Sequence, residues 1–190
     1  MNEILTRYRR VADGFSARVD SVPNGDARWA GASPCADWTA RDVVQHVVDA
    51  HHIFYGLIDH PVAPPASTDE PAVAWATTRS SMEAALNDPG VAEREYDGMF
   101  GRVTWAYSID RFLSGDVLVH TWDLARALGV DSRLDPAEVR RAREELAEMT
   151  QQAGDAMRRP DVFGPPVEPP SDADDQDLLL AFTGRDPRAA

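Results

Sequence analysis

The sequence predicts an all-α fold: a four-helix bundle with an additional C-terminal helix and a Pro-rich tail wrapping over it. Two observations predict it. Apolar residues recur at spacings of three and four over most of the chain, the period of a helix with one buried face. Short Gly- and Pro-rich connections cut that pattern into helix-length pieces, and helices joined by short connections pack as antiparallel neighbours.

Residues 2–21 place Ile4, Leu5, Tyr8, Val11, Phe15 and Val19 on one stripe and form the first helix. Pro23 to Asp37 is a connection rich in Gly, Pro and small polar residues. Thr39 caps a second helix, with Asp42 at the capping-box position, and the helix runs to about Ile58 because His60-Pro61 and the prolines up to Pro65 cannot continue it. A third helix starts near Asp69, carries Val73, Ala76, Thr77, Met82 and Ala85 as its stripe, and stops between Asn87 and Gly90. Ala92 to Val103 sets Tyr96, Met99 and Phe100 among charges and two glycines, and reads as an irregular or briefly extended connection, not as part of a sheet. Thr104 to Leu128 forms the fourth helix, with Gly115 inside it at some cost and Gly129 placed for a left-handed C-terminal cap. Pro136 opens a fifth, with Glu138 early and Val139, Ala142, Leu146 and Met149 continuing to about Met157. Arg159 to Asp175 is proline-rich and acidic, followed by a short helix over Asp177 to Phe182. Residues 1–190 thus read as a single domain, with 159–190 packed on it as a tail.

The 190 residues, 43% hydrophobic and 27% charged, suffice for a core that folds alone. The net charge of -13, from 19 Lys plus Arg against 32 Asp plus Glu with no basic stripe, argues against a nucleic-acid partner. No apolar run approaches the ~20 residues of a membrane helix, and the N-terminus lacks the ordered regions of a signal peptide. The expectation is a cytoplasmic protein with no membrane partner. Cys35 is the single cysteine, which excludes an internal disulfide framework and any multi-cysteine metal site. A metal here must be held mainly by His and carboxylate. The chain also lacks a glycine-rich phosphate loop and a nucleophile elbow, setting aside nucleotide chemistry and serine hydrolysis.

On a wheel of 3.6 residues per turn, Trp105, Ile109, Phe112, Leu113 and Ala127 define the buried face of the fourth helix. Asp116, His120 and Asp123 fall in the middle of that stripe, where each polar group carries a desolvation cost unless something satisfies it. A metal ion would do so. Asp116 and His120 are four residues apart and can bind the same ion, while Asp123, about one turn on, can orient an imidazole nitrogen or pair with Arg126. On the second helix Val43, Ala50, Ile53 and Leu57 make a face with His46 in line, whereas His51 and His52 turn away and read as surface histidines. His, Asp and His with open positions suit Zn or Ni, with Fe as a third candidate.

A plainer reading stands beside this one: a core histidine bonded to a backbone carbonyl, and an acid–His helix pair with a structural role. Cys35, just before the second helix, reads as a small buried residue, with a redox or ligand role as the alternative. Trp38, Trp105 and Trp122 read as core or pocket wall, and Arg140, Arg141 and Arg143 as a solvated face salted with Glu144 and Glu145.

Three runs carry a family resemblance. They are Trp38-Thr39-Ala40-Arg41-Asp42-Val43-Val44-Gln45-His46-Val47-Val48, the run from Gly115-Asp116 through His120-Thr121-Trp122-Asp123 to Gly129, and the end from Phe163-Gly164-Pro165-Pro166 to Gly184-Arg185-Asp186-Pro187. Together they resemble an actinobacterial branch of the DinB-like metal-binding superfamily, related to the N-terminal domain of mycothiol-dependent maleylpyruvate isomerase. The resemblance implies a four-helix bundle whose divalent metal is held by His46, Asp116 and His120. It also implies a small-molecule thiol such as mycothiol, activated by the metal and presented to an electrophilic substrate. The competing expectation is a non-catalytic, metal-dependent protein that binds a ligand or partner in the same pocket. Two features depart from the pattern. Ala50 stands four residues after His46, so that helix offers no second ligand, and the isomerase's further C-terminal domain is replaced by the short tail, so maleylpyruvate is not the expected substrate. Related bundles pair through helix faces, which leaves a homodimer open.

Overall fold

The computed structural model describes residues 3–65, 67–98, 101–153 and 165–188. The described residues are all-α apart from one hairpin. In order it forms α1 (Glu3–Val19), a 3-10 turn (Ala27–Ala30), α2 (Ala40–Gly56), α3 (Pro71–Asn87), a one-turn α4 (Pro89–Ala92), β1 (Glu95–Gly98), β2 (Gly101–Thr104), a one-turn α5 (Trp105–Ser108), a π-helical segment (Ile109–Leu113), α6 (Ser114–Leu128), α7 (Pro136–Ala153) and α8 (Asp175–Phe182). Contacts group these into two compact units, Met1–Ser33 with Asp37–Ser132, and Pro34–Ala36 with Arg133–Ala190. Met99, Phe100, the expected helix end at Met157 and residues 159–164 lie outside the described residues.

In the first unit α1 packs on α3 and α6, and α2 packs on the same two helices, closing a ring of four. Tyr8, Phe15, Trp75, Met82, Trp105, Ile109, Leu113 and Leu124 fill its centre. Several local expectations hold for local reasons. Thr39 and Asp42 form the capping box of α2, and Gly129 ends α6 at φ 67°, ψ 35°, a left-handed conformation that costs glycine little. Arg7, buried on α1, pairs with the carboxylate of Asp110 at 3.1 Å and bonds its carbonyl as well, tying α1 to the π segment.

The faces assigned to two helices need correction. On α3, Val73, Ala76 and Thr77 are exposed, and the buried residues are Pro71, Ala74, Trp75, Thr78, Met82, Ala85 and Leu86. On α2, Ile53 is 65% exposed and Leu57, just past its end, 39%, while Val43, Val44, Val47, Val48, Ala50, His51 and Tyr55 are buried. The centre of that stripe lies roughly 60° around the wheel from Val43. His51, expected at the surface, stands near its middle at 0% exposure because α2 is covered by α3 as well as α6. His52 is half-buried between the carbonyls of Val48 and Ala63.

The stretch expected to be irregular contains the hairpin: Glu95 pairs with Thr104, Tyr96 with Val103, Asp97 with Arg102 and Gly98 with Gly101. The fourth helix is not one uniform α-helix. The Ser114 N–H bonds Ile109 O, an i→i+5 closure that the Ser114 hydroxyl reinforces at 2.9 Å. A π turn is wider than an α turn, so residues beyond Leu113 are offset from those before it, and Phe112 and Ala127 are only half-buried.

In the second unit α7 packs on α8. Asp174 caps α8 through Asp177 N, Val167 N bonds Ala181 O at 3.0 Å, and Gln176 accepts from Leu134 N at 2.9 Å. Arg140 and Arg141 are exposed as expected, but Glu145, paired with Arg141 at 2.9 Å, is buried. Cys35 is half-buried with its Sγ 3.6 Å from the Arg185 guanidinium, more open than a core residue.

Candidate metal centre

The capping box sets where α2 begins: Thr39 N donates to Asp42 Oδ2 at 2.8 Å, and Thr39 Oγ1 accepts from Asp42 N at 3.3 Å. His46 follows about two turns later, at the edge of the buried stripe and therefore 37% exposed. Asp116 and His120 come from successive turns of α6, 34% and 7% exposed. α2 and α6 pack together, which brings the three side chains to one place.

Asp116 stands between the two imidazoles. Its Oδ2 is 3.5 Å from His46 Nε2 and its Oδ1 is 3.4 Å from His120 Nε2. The imidazole centroids are 4.5 Å apart, and one ligand atom from each residue lies within 4.8 Å of the others. These separations exceed the ~2.7–3.2 Å of a good N–H···O bond. The two N···O separations, one to each carboxylate oxygen, are close instead to the roughly 3.3–3.5 Å between neighbouring donors of a tetrahedral ion bound at ~2.0–2.2 Å. Asp116 Oδ2 is buried and has no hydrogen-bond partner among the described residues. An unsatisfied polar atom of that kind costs about 1–3 kcal/mol, and more when charged. Burial acts to raise the Asp116 carboxyl, but His120 and His46 beside it outweigh burial and hold it well below the usual carboxylate range. It stands ionised at neutral pH, the state a ligand needs.

Asp123 is 0% exposed, and its Oδ2 lies 2.9 Å from His120 Nδ1. A carboxylate at one ring nitrogen leaves the other, Nε2, turned toward Asp116. The Arg126 guanidinium lies over the Trp122 ring, 5.7 Å from its centroid. Trp105 and Trp122 are core residues, whereas Trp38 borders the centre: its ring is 5.0 Å from that of His46 and stacked 5.9 Å from that of His120.

The wheels missed a second buried polar pair, Tyr8 and His51. His51 Nδ1 is 2.6 Å from Val47 O, and a carbonyl only accepts, so Nδ1 carries the proton and Nε2 accepts from the Tyr8 hydroxyl at 2.9 Å. Burial lowers the His51 pKa to about 4 and raises that of Tyr8. The signal in the sequence was Tyr8 on the apolar stripe of α1, a hydroxyl that needed a partner.

The family described as "Mycothiol maleylpyruvate isomerase N-terminal domain" matches residues 8–125. Two proteins of Mycobacterium tuberculosis, from strains CDC 1551 / Oshkosh and H37Rv and both described as uncharacterized, are each 30% identical to the chain over 182 residues, covering 95% of it and 97% of their own length. No solved structure matches the chain. The match spans α2 and nearly all of α6, hence all three converging residues, and the chain belongs to the mycothiol maleylpyruvate isomerase N-terminal domain family.

Proposed function

We propose that the protein binds one divalent metal ion through His46, Asp116 and His120, and that it serves as a metal-dependent thiol S-transferase or isomerase acting on a small electrophile. The observation that supports this reading is the ionised Asp116 carboxylate between two imidazole nitrogens at 3.4 and 3.5 Å, its Oδ2 buried and without a hydrogen bond among the described residues. The mixed nitrogen and oxygen donor set fits Zn or Ni, with Fe as a third candidate. Three protein donors leave coordination positions open, and a bound ion there supplies one thing: a lowered pKa for a coordinated thiol, so that thiolate is present at neutral pH. The family's name points to mycothiol as that thiol. Among the chain's own groups, Asp116 carries the charge, Asp123 holds His120 in the required orientation, and half-exposed His46 and Asp116 leave the centre accessible from one side.

The test is metal content by inductively coupled plasma mass spectrometry after equilibration with Zn, Ni and Fe, for the wild type and a His46→Ala, His120→Ala double variant. About one equivalent in the wild type and loss in the variant is the expected result; no metal in either overturns the proposal. Mycothiol should then perturb the visible spectrum of the cobalt-loaded protein. Unchanged spectra would remove the thiol chemistry and leave a metal-dependent binding protein.

A further inference from the structure

We infer that Trp38 is a positioning residue of this centre, holding the two imidazoles at one spacing and closing one flank of it to water; the inference rests on the metal-binding reading above. The backbone of Trp38 is anchored on both sides. Its carbonyl accepts from Ser33 N at 2.8 Å, Asp37 turns the chain before it at φ 66°, and Thr39 after it both bridges to Ala32 and caps α2.

A residue just before an N-cap ordinarily packs on the first turn of its own helix. The Trp38 ring reaches further. It lies 5.0 Å from the His46 ring, two turns into α2, and is stacked at 24° to the His120 ring on α6. The two histidines differ in how else they are held. His120 has Asp123 at its Nδ1, 2.9 Å away. His46 is 37% exposed, and among the described residues its polar contact is Asp116 and its ring contacts are Trp38 and His120. The terminal torsion of histidine is broad, so an imidazole without a fixed neighbour samples many orientations. Trp38 is the rigid surface against which His46 is set, and the same surface covers His120.

The experiment compares the wild type, Trp38→Phe, Trp38→Ala and the double histidine variant, each checked for folding by circular dichroism, with Co(II) as the metal probe. Affinity is measured by competition with a chromophoric chelator, coordination by the visible cobalt bands, and proximity by quenching of tryptophan emission. Trp38→Ala should weaken cobalt binding about tenfold, the scale on which groups that orient ligands act. Its cobalt bands should also shift and lose definition, a change that general destabilisation does not produce. Trp38→Phe should restore both affinity and spectrum while losing most of the cobalt-induced quenching, since the indole beside the ion is gone. Wild-type affinity and spectrum in Trp38→Ala would overturn the inference. So would full quenching in Trp38→Phe, an arm that stands even if Trp38→Ala does not fold. A wild type that takes up no cobalt overturns the metal reading itself, and this inference with it.

Discussion

His51 should make the protein acid-sensitive in a defined window. In the fold it is neutral, with its proton on Nδ1 toward Val47 O, its Nε2 accepting from Tyr8, and a pKa lowered to about 4 by burial. In the unfolded chain the value returns to ~6.5, so between those values the unfolded state binds more protons and stability rises with pH. The contribution is fully present above about 6.5 and is lost as pH falls toward about 4. At 1.36 kcal/mol per unit, the gap of 2.5 units gives a limit of about 3 kcal/mol, and about 2 kcal/mol of it is lost by about pH 5. The neighbouring Asp116 charge favours protonation and His52 opposes it, both less than burial does. Urea denaturation of the wild type and of His51→Gln, from neutral pH down to about 5, measures the effect. The variant starts less stable, but its stability should fall by about 2 kcal/mol less over that interval. Parallel curves, agreeing to within about 0.5 kcal/mol in slope over the window, would falsify the assignment of His51 as a neutral buried base.

Two glycines should respond in opposite directions. A Cβ on Gly31 would meet the carbonyl oxygen of Ala127 at 2.7 Å and that of Arg28 at 3.0 Å, both backbone atoms, so Gly31→Ala should destabilise by about 1–3 kcal/mol. A Cβ on Gly115 meets nothing within 4 Å, and Gly115→Ala should stabilise α6 by about 0.5–1 kcal/mol in the same urea titration. A neutral Gly31→Ala or a destabilised Gly115→Ala would contradict these contacts. Asp123→Asn keeps the shape of the buried side chain beside His120 and removes its charge, and should weaken zinc binding about tenfold in a chelator competition. Affinity unchanged within about twofold would deny Asp123 any part in tuning His120.

Much of the candidate centre was legible because its parts are local. Asp116 and His120, four apart, share a helix face whatever surrounds them, and the Thr39–Asp42 box fixes where α2 begins and hence the level of His46 along it. Trp38 was legible only as a wall residue; that its ring spans imidazoles from two helices required both helices in place. His51 was misplaced because the face of α2 was drawn through Val43, Ala50, Ile53 and Leu57. With α3 packed on it as well, the buried stripe turns toward His51 and leaves Ile53 in solvent. The same cause moved the face of α3 from Val73 to Trp75.

By itself the sequence determined the all-helical class, the helix starts at Thr39 and Pro136, the stop at Gly129, and the family, because caps, breakers and i,i+4 pairs act within a turn or two of chain. The tertiary structure alone decided which faces are buried, the π offset before Asp116, the Tyr8–His51 pair and the meeting of His46 with Asp116 and His120. Those depend on how neighbouring helices cover one another, and burial is a property of the assembled surfaces that no single helix's periodicity contains.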